Sequence, residues 1–240
     1  MPRPPFVDVR PIESVEKRVL AVSVLCAVVY LATVSRQPFP GSIVIKAAAV
    51  AFLAVVALRL LSGKDRWLMA GALVLSTAGD VLIELGDRYF IYALGAFALA
   101  HVLYTILFVG YWRTSGIGRG GDRYALVAAT VLYSGVLLWR IWPGLANPQS
   151  APNLKVPVII YTALLTIMVI TAVLAPFVSQ LIGFGAVLFL ISDSLLALNR
   201  FRQPVPFAAY LIWATYYLAQ FGLSFGFFRE GRRGGRVTQA

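Results

Sequence analysis

Four ionisable side chains stand in stretches of sequence that are otherwise almost entirely apolar: Lys46, Asp80, His101 and Asp193. A charged group at the centre of a membrane span costs about 2.5–3.5 kcal/mol on insertion scales, so such residues usually serve a function. Two carboxyl groups in one low-dielectric site take different protonation states, so that one is an acid while the other is ionised. A pair of this kind with a cation nearby suits acid-catalysed cleavage of an acetal-like or enol-ether bond.

Several other chemistries lack the residues they need. The chain has one histidine and one cysteine, too few for a zinc site built from those two residue types. It contains neither the G-x-S-x-G motif of a serine hydrolase nor a phosphate-binding Walker loop. The single Cys26 also excludes an internal disulfide.

The composition indicates a membrane protein. Of 240 residues, 60% are hydrophobic and 13% are charged, and the mean hydropathy is +0.81. A soluble domain is about 45–50% apolar and about 25% charged. These values exclude a soluble enzyme, a disordered chain and a nucleic-acid-binding module, even though the net charge is +11. We therefore expect the partner of this chain to be a lipid bilayer, and we expect no nucleic acid.

Eight stretches are long enough to be membrane spans, which need about 20 mostly apolar residues each. They cover residues 19–34, 41–61, 67–85, 89–111, 124–142, 154–174, 180–199 and 206–228. Several connections between them are very short and can only join antiparallel neighbours. The sequence therefore predicts an all-α, polytopic bundle at 19–228, with a polar N-terminal arm at 1–18 and a basic C-terminal tail at 229–240.

The charges at the span ends predict an orientation. Fourteen Lys and Arg residues flank the spans on the side of the N-terminus, against six on the other side. The positive-inside rule then places both termini in the cytoplasm, in a multi-pass protein of the cell membrane. With a rise of 1.5 Å per residue, Asp80 and Asp193 lie about 20 Å into helices that enter from the cytoplasm. Lys46 lies about 7–8 Å below the opposite surface, so the three charges meet at one level, with His101 nearer the midplane.

The segments around the two aspartates are alike and lie four spans apart: GALVLSTAGDVLIEL contains Asp80 and GAVLFLISDSLLAL contains Asp193. A 4+4 internal repeat would place both aspartates in equivalent helices that face one central cavity. The residues alone leave a second interpretation open. Both aspartates and Lys46 could form a salt-bridged triad that fixes helix packing in a non-catalytic lipid-binding or transport-like protein.

Five motifs follow one another over roughly residues 41–225: LSTAGDVLIEL, YALGAFALAHVLY, VIIYTALLTIMVITAVL, GAVLFLISDSLLALNRF and YYLAQFGL. In this combination the chain resembles the YhhN family of integral membrane proteins, whose characterised members are lysoplasmalogenases. The resemblance implies hydrolysis of the vinyl ether bond of a lysoplasmalogen or related ether lipid to a fatty aldehyde and a glycerophospho-headgroup. It implies no metal and no other cofactor.

The resemblance also assigns residues. Asp80 and Asp193 would form the catalytic pair, one as the acid and the other as the carboxylate that stabilises an oxocarbenium ion and orients water. Lys46 would meet the lipid phosphate or stabilise the ionised aspartate. The other residues that would line the cavity and bind substrate are His101, Tyr104, Asn199, Tyr217 and Gln220.

Overall fold

The computed structural model describes residues 9–37, 39–118, 120–147, 153–177 and 179–236. Within these residues the chain forms eight α-helices and no strand, which confirms the all-α prediction. The helices are α1 (Ser14–Thr33), α2 (Ser42–Leu60), α3 (Gly63–Glu84), α4 (Phe90–Ser115), α5 (Gly121–Ala146), α6 (Lys155–Leu174), α7 (Gln180–Phe201) and α8 (Ala208–Arg236). The outer parts of the predicted arm and tail, residues 1–8 and 237–240, lie outside the described residues.

In the described part of the chain, the seven helices α1 to α7 are long and apolar enough to cross a membrane. The chain is therefore a multi-pass integral membrane protein. Helix α8 has 29 residues but is not one of the seven. Its tyrosines, its glycines and Gln220 lower its mean hydropathy. Its helical backbone continues to Arg236, into the predicted tail at 229–240. The eight-span count and the internal repeat stay predictions.

Helix α1 begins at Ser14, inside the arm predicted at 1–18. The N–H of Glu13 donates to Oε2 of Glu16 at 3.1 Å, a contact that caps the first turn. Glu16 in turn accepts from Nε of Arg59 on α2 at 2.7 Å. These polar contacts start the helix before the apolar run begins, which is why hydropathy alone places the start too late.

The helices pack mainly against their neighbours in the chain, and α8 closes the bundle. Helix α3 lies between α2 and α4, and α7 lies between α6 and α8, with α5 also in contact with α7. Helix α8 touches α1 and α2 as well as α7. It therefore connects the part of the bundle that carries Asp80, on α3, with the part that carries Asp193, on α7.

Two glycines allow α7 and α8 to pack backbone against backbone. A Cβ atom on Gly185 would lie 2.8 Å from the backbone nitrogen of Leu223 and 2.9 Å from the carbonyl oxygen of Ala219. Gly222 faces this point from α8, where a Cβ would lie 3.3 Å from the Cα of Gly185. Small residues at such contacts let membrane helices approach closely.

We expect Gly185→Ala to push α8 away from α7 and to lower the free energy of unfolding by about 1–3 kcal/mol, the usual cost of overpacking. Gly183→Ala is the matched control, because a Cβ at Gly183 would meet nothing within 4 Å. Thermal unfolding of both variants in one detergent measures the difference. Equal melting temperatures for the two variants would contradict the close contact.

Candidate active site

A polar cavity of about 230 Å³ lies within the bundle and is lined by residues from α1, α2, α3, α4, α7 and α8. Four charged side chains line it, namely Lys46, Asp80, Glu84 and Asp193. Both aspartates line this one cavity, which agrees with the equal depths in the membrane that the sequence predicts for them. The cavity therefore holds three carboxyl groups and one ammonium group in a largely apolar surrounding.

Lys46 is held by acids and aromatic rings. Its Nζ lies 2.9 Å from Oε1 of Glu84 and 3.9 Å from Oδ1 of Asp80. The ring centroids of Tyr30 and Trp213 lie 5.4 Å and 5.8 Å from the same nitrogen, within the range of cation–π attraction. Tyr30 also donates its hydroxyl to Glu84. The nearest partner of the lysine is thus Glu84, which the sequence analysis did not single out.

Asp80 is buried, with 2% of its surface exposed, and is surrounded by donors. The hydroxyl of Tyr216 donates to its Oδ2 at 2.7 Å, on the side opposite the contact with Lys46 through Oδ1. Behind Tyr216, Nε2 of Gln220 lies 3.4 Å from the phenol oxygen, and Tyr104 donates to Oε1 of Gln220 at 2.7 Å. The two oxygens of Asp80 thus face different partners, the ammonium group of Lys46 and the phenol of Tyr216.

Asp193 has different surroundings. The hydroxyl of Tyr161, on α6, donates to its Oδ2. Nε2 of His101, on α4, lies 3.0 Å from that phenol oxygen and 3.7 Å from Oδ2 of Asp193. Within the described residues no Lys or Arg forms an ion pair with Asp193. The triad of Lys46 with both aspartates, which the non-catalytic interpretation suggested, is therefore not formed.

The remaining predicted residues fall into two groups. Asn199 lines the cavity, and its Oδ1 accepts a hydrogen bond from the N–H of Val205 at 2.9 Å, which fixes the loop before α8. Tyr217 does not line the cavity, because its hydroxyl lies 2.8 Å from Oγ of Ser23 on α1. Successive residues of a helix point about 100° apart, so it is Tyr216 and not Tyr217 that reaches Asp80.

The expectation that His101, Tyr104, Tyr217 and Gln220 line the cavity is thus corrected. Tyr104 and Gln220 lie behind Tyr216, and His101 is fully buried behind Tyr161, against the ring of Phe189 at 4.8 Å between centroids. Buried polar groups need hydrogen-bond partners. Tyr104 and Gln220 find them in this layer, and His101 finds one through Nε2, whereas its Nδ1 has no partner among the described residues. These residues form a layer that supports the two tyrosines in contact with the aspartates.

The sequence model of the YhhN family matches residues 41–227, which include both aspartates, Lys46 and Glu84. This chain belongs to the YhhN family. The lysoplasmalogenases of Mycobacterium bovis and Mycobacterium tuberculosis are each 33% identical to it over 211 residues, 83% of this chain and 78% of theirs. The lysoplasmalogenase TMEM86B of Rattus norvegicus is 31% identical over 168 residues, 70% of this chain and 64% of that protein. No solved structure matches the YhhN chain.

Proposed function

We propose that this YhhN protein hydrolyses the vinyl ether bond of a lysoplasmalogen or a closely related ether lipid. The products are a fatty aldehyde and a glycerophospho-headgroup. The observation that carries the proposal is the pair of aspartates in one membrane cavity, where Asp80 pairs with Lys46 and, among the described residues, Asp193 pairs with no Lys or Arg. The names of the bacterial and mammalian relatives support the same reaction.

The chemistry uses the two carboxyl groups and water. One aspartate donates a proton to the vinyl carbon, and the second, ionised aspartate stabilises the resulting oxocarbenium ion and orients a water molecule. Water adds to the cation and gives a hemiacetal. The hemiacetal then collapses to the aldehyde and the free glycerol hydroxyl. The carboxyl groups supply the proton transfers and the charge stabilisation, while the water oxygen forms the new bond to carbon and the glycerol oxygen leaves.

Lys46 has the role of stabilising carboxylates in this proposal. Its Nζ already lies 2.9 Å from Glu84 and 3.9 Å from Asp80, so its charge is balanced inside the protein. An ammonium group in these positions attracts the carboxyl groups of Glu84 and Asp80 electrostatically. This use of the lysine fits the geometry better than binding of the lipid phosphate.

The ion cluster of Lys46, Glu84 and Asp80 also suits a second function, lipid binding or transport without catalysis, in which the cluster only fixes α2 against α3. The two functions differ in one measurement. Purified protein in detergent is given a lysoplasmalogen, and the released aldehyde is quantified. Turnover of the lipid to aldehyde supports the hydrolase. Saturable binding of the lipid with no aldehyde supports the carrier.

For the topology we propose eight spans in the cell membrane with both termini in the cytoplasm, on the fourteen-to-six asymmetry of basic residues. A reporter that is active only in the cytoplasm should then be active when fused after Ala240. A reporter that is active only outside the cell should be inactive at the same position. The fusion is compared with one after Gly116, in the loop after α4, which should also be cytoplasmic. Activity of the Ala240 fusion on the external face alone would contradict the even number of spans.

A further inference from the structure

A narrow apolar crevice of about 50 Å³ adjoins the polar cavity. It lies between α4, α5, α6 and α7, where its lining includes Ala93, Leu137, Leu165 and Ala197. The crevice and the cavity share four lining residues, which are Ile83, Phe97, Asp193 and Leu196. Asp193 therefore lies where the two spaces meet, whereas Asp80 lines only the polar cavity.

A lysoplasmalogen is divided in the same way, into a polar glycerophospho end and an unbranched apolar chain, with the vinyl ether between them. We infer that the crevice binds the alkenyl chain and that the cavity binds the glycerol side of the vinyl ether, so that Asp193 faces the chain side of this group and Asp80 faces its oxygen side. The lining of the crevice consists mostly of apolar side chains, which suit an alkyl chain and offer a glycerophospho group few partners. This assignment rests on the proposed function and determines which aspartate is the acid.

The chemistry of a vinyl ether fixes the role of each side. The oxygen lone pair directs the proton to the carbon that carries the chain, and the positive charge then lies on the carbon bonded to oxygen. The group beside the chain-bearing carbon must be the proton donor, and that group is Asp193. The group on the oxygen side must stabilise the positive charge as a carboxylate. Asp80 lies on that side, with the ammonium of Lys46 at 3.9 Å from Oδ1 and the hydroxyl of Tyr216 at 2.7 Å from Oδ2.

The proton transfers balance over one turnover. The O–H bond of Asp193 breaks as a C–H bond forms at the chain-bearing carbon, and the C=C electron pair forms that bond. Water then adds to the oxygen-bearing carbon and gives one proton to Asp80. Asp80 passes this proton to the glycerol oxygen as its bond to carbon breaks. The remaining hydroxyl of the hemiacetal returns a proton to Asp193 as the aldehyde forms.

Filling the crevice tests the position of the chain. Ala197 lies one helical turn after Asp193, and Ala197→Leu should reduce kcat/KM for a long-chain lysoplasmalogen about tenfold more than for a short-chain one with the same headgroup. Ala93→Val fills the crevice from the facing helix α4 and should shift the ratio in the same direction. Leu99→Phe is the control, because Leu99 lies on α4 with 57% of its surface exposed and should leave the ratio as in the wild type. Equal losses for both chain lengths in both crevice variants would overturn the assignment, whereas a wild type that releases no aldehyde would refute the proposed function itself.

Infrared spectroscopy tests the identity of the acid without turnover. A protonated carboxylic acid has a C=O stretching band separate from that of a carboxylate, and the band shifts in heavy water. We expect Asp193→Asn to remove such a band from the spectrum of the resting wild type and Asp80→Asn to leave it. Loss of the band in Asp80→Asn alone, or no loss in either variant, would overturn the assignment of Asp193 as the proton donor.

Discussion

Asp193→Asn is expected to lower kcat for lysoplasmalogen hydrolysis by about 10²–10⁴-fold, the usual contribution of a positioned acid or base. Asparagine has the size of aspartate and still accepts the hydrogen bond from Tyr161, so the variant should fold. Asp80→Asn should cause a loss of the same order, because an amide cannot stabilise a cation as a carboxylate does. The initial rate of aldehyde release and the melting temperature, both in the same detergent, measure these effects.

Asp87→Asn is the matched control for both variants. Asp87 lies in the turn between α3 and α4, where 88% of its side chain is exposed and its partner is Arg200 at 2.8 Å. This variant should keep wild-type turnover. Full turnover in both Asp80→Asn and Asp193→Asn would end the carboxylate mechanism. A loss of activity that only follows the unfolded fraction would favour the packing interpretation.

Glu84→Gln is expected to lower the free energy of unfolding by about 3 kcal/mol, at the lower end of the cost of breaking a buried ion pair. The side chains of Lys46 and Glu84 are only 11% and 15% exposed, so the lysine would lose its nearest partner in an environment that solvates it poorly. Asp80 stays at 3.9 Å and compensates in part. Equilibrium unfolding in mixed micelles measures the change.

The double variant Lys46→Met with Glu84→Gln separates this pairing from a general effect of the substitution. Removing both charges should recover part of the lost stability, because no ammonium group is then left without its nearest acid, although Asp80 loses its cation. Activity should not recover, since Asp80 loses its cation. A Glu84→Gln variant as stable as the wild type, or a double variant less stable than both single variants, would contradict the role of this pair.

Depth along each helix could be predicted from the sequence. Apolar runs located α2 through α7 well, and α7 begins at Gln180, where its span was predicted to start. A constant rise of 1.5 Å per residue then places Asp80, Asp193 and Lys46 at one level. The structure places all three on the lining of one cavity. Hydropathy and helix geometry are local properties of the sequence, and the two together determine the depth of a residue in a span.

The rotation of each helix about its axis could not be predicted in the same way. Lipid and bundle interior are both apolar, so hydropathy gives little signal for the side of a helix that faces inward. The resemblance implies Tyr217, from the motif YYLAQFGL, whereas the structure brings the neighbouring Tyr216 to Asp80 and Tyr161 to Asp193. Glu84 escaped notice because charges at helix ends usually face water. Its spacing of four residues from Asp80, which puts both on one face of α3, is the signal that could have found it.

The measurement that tests the central claim most directly is the hydrolysis of a lysoplasmalogen by the purified protein in heavy water, with the aldehyde trapped as it forms and examined by mass spectrometry. An aspartate whose proton has exchanged with heavy water transfers a deuteron to the vinyl carbon, so we expect one deuterium on the carbon next to the aldehyde group. The wild type should release this aldehyde, and Asp193→Asn should form it at least about 10²-fold more slowly. An aldehyde without deuterium at that carbon, or wild-type protein that binds the lipid and releases no aldehyde, would contradict acid-catalysed cleavage by this pair of aspartates.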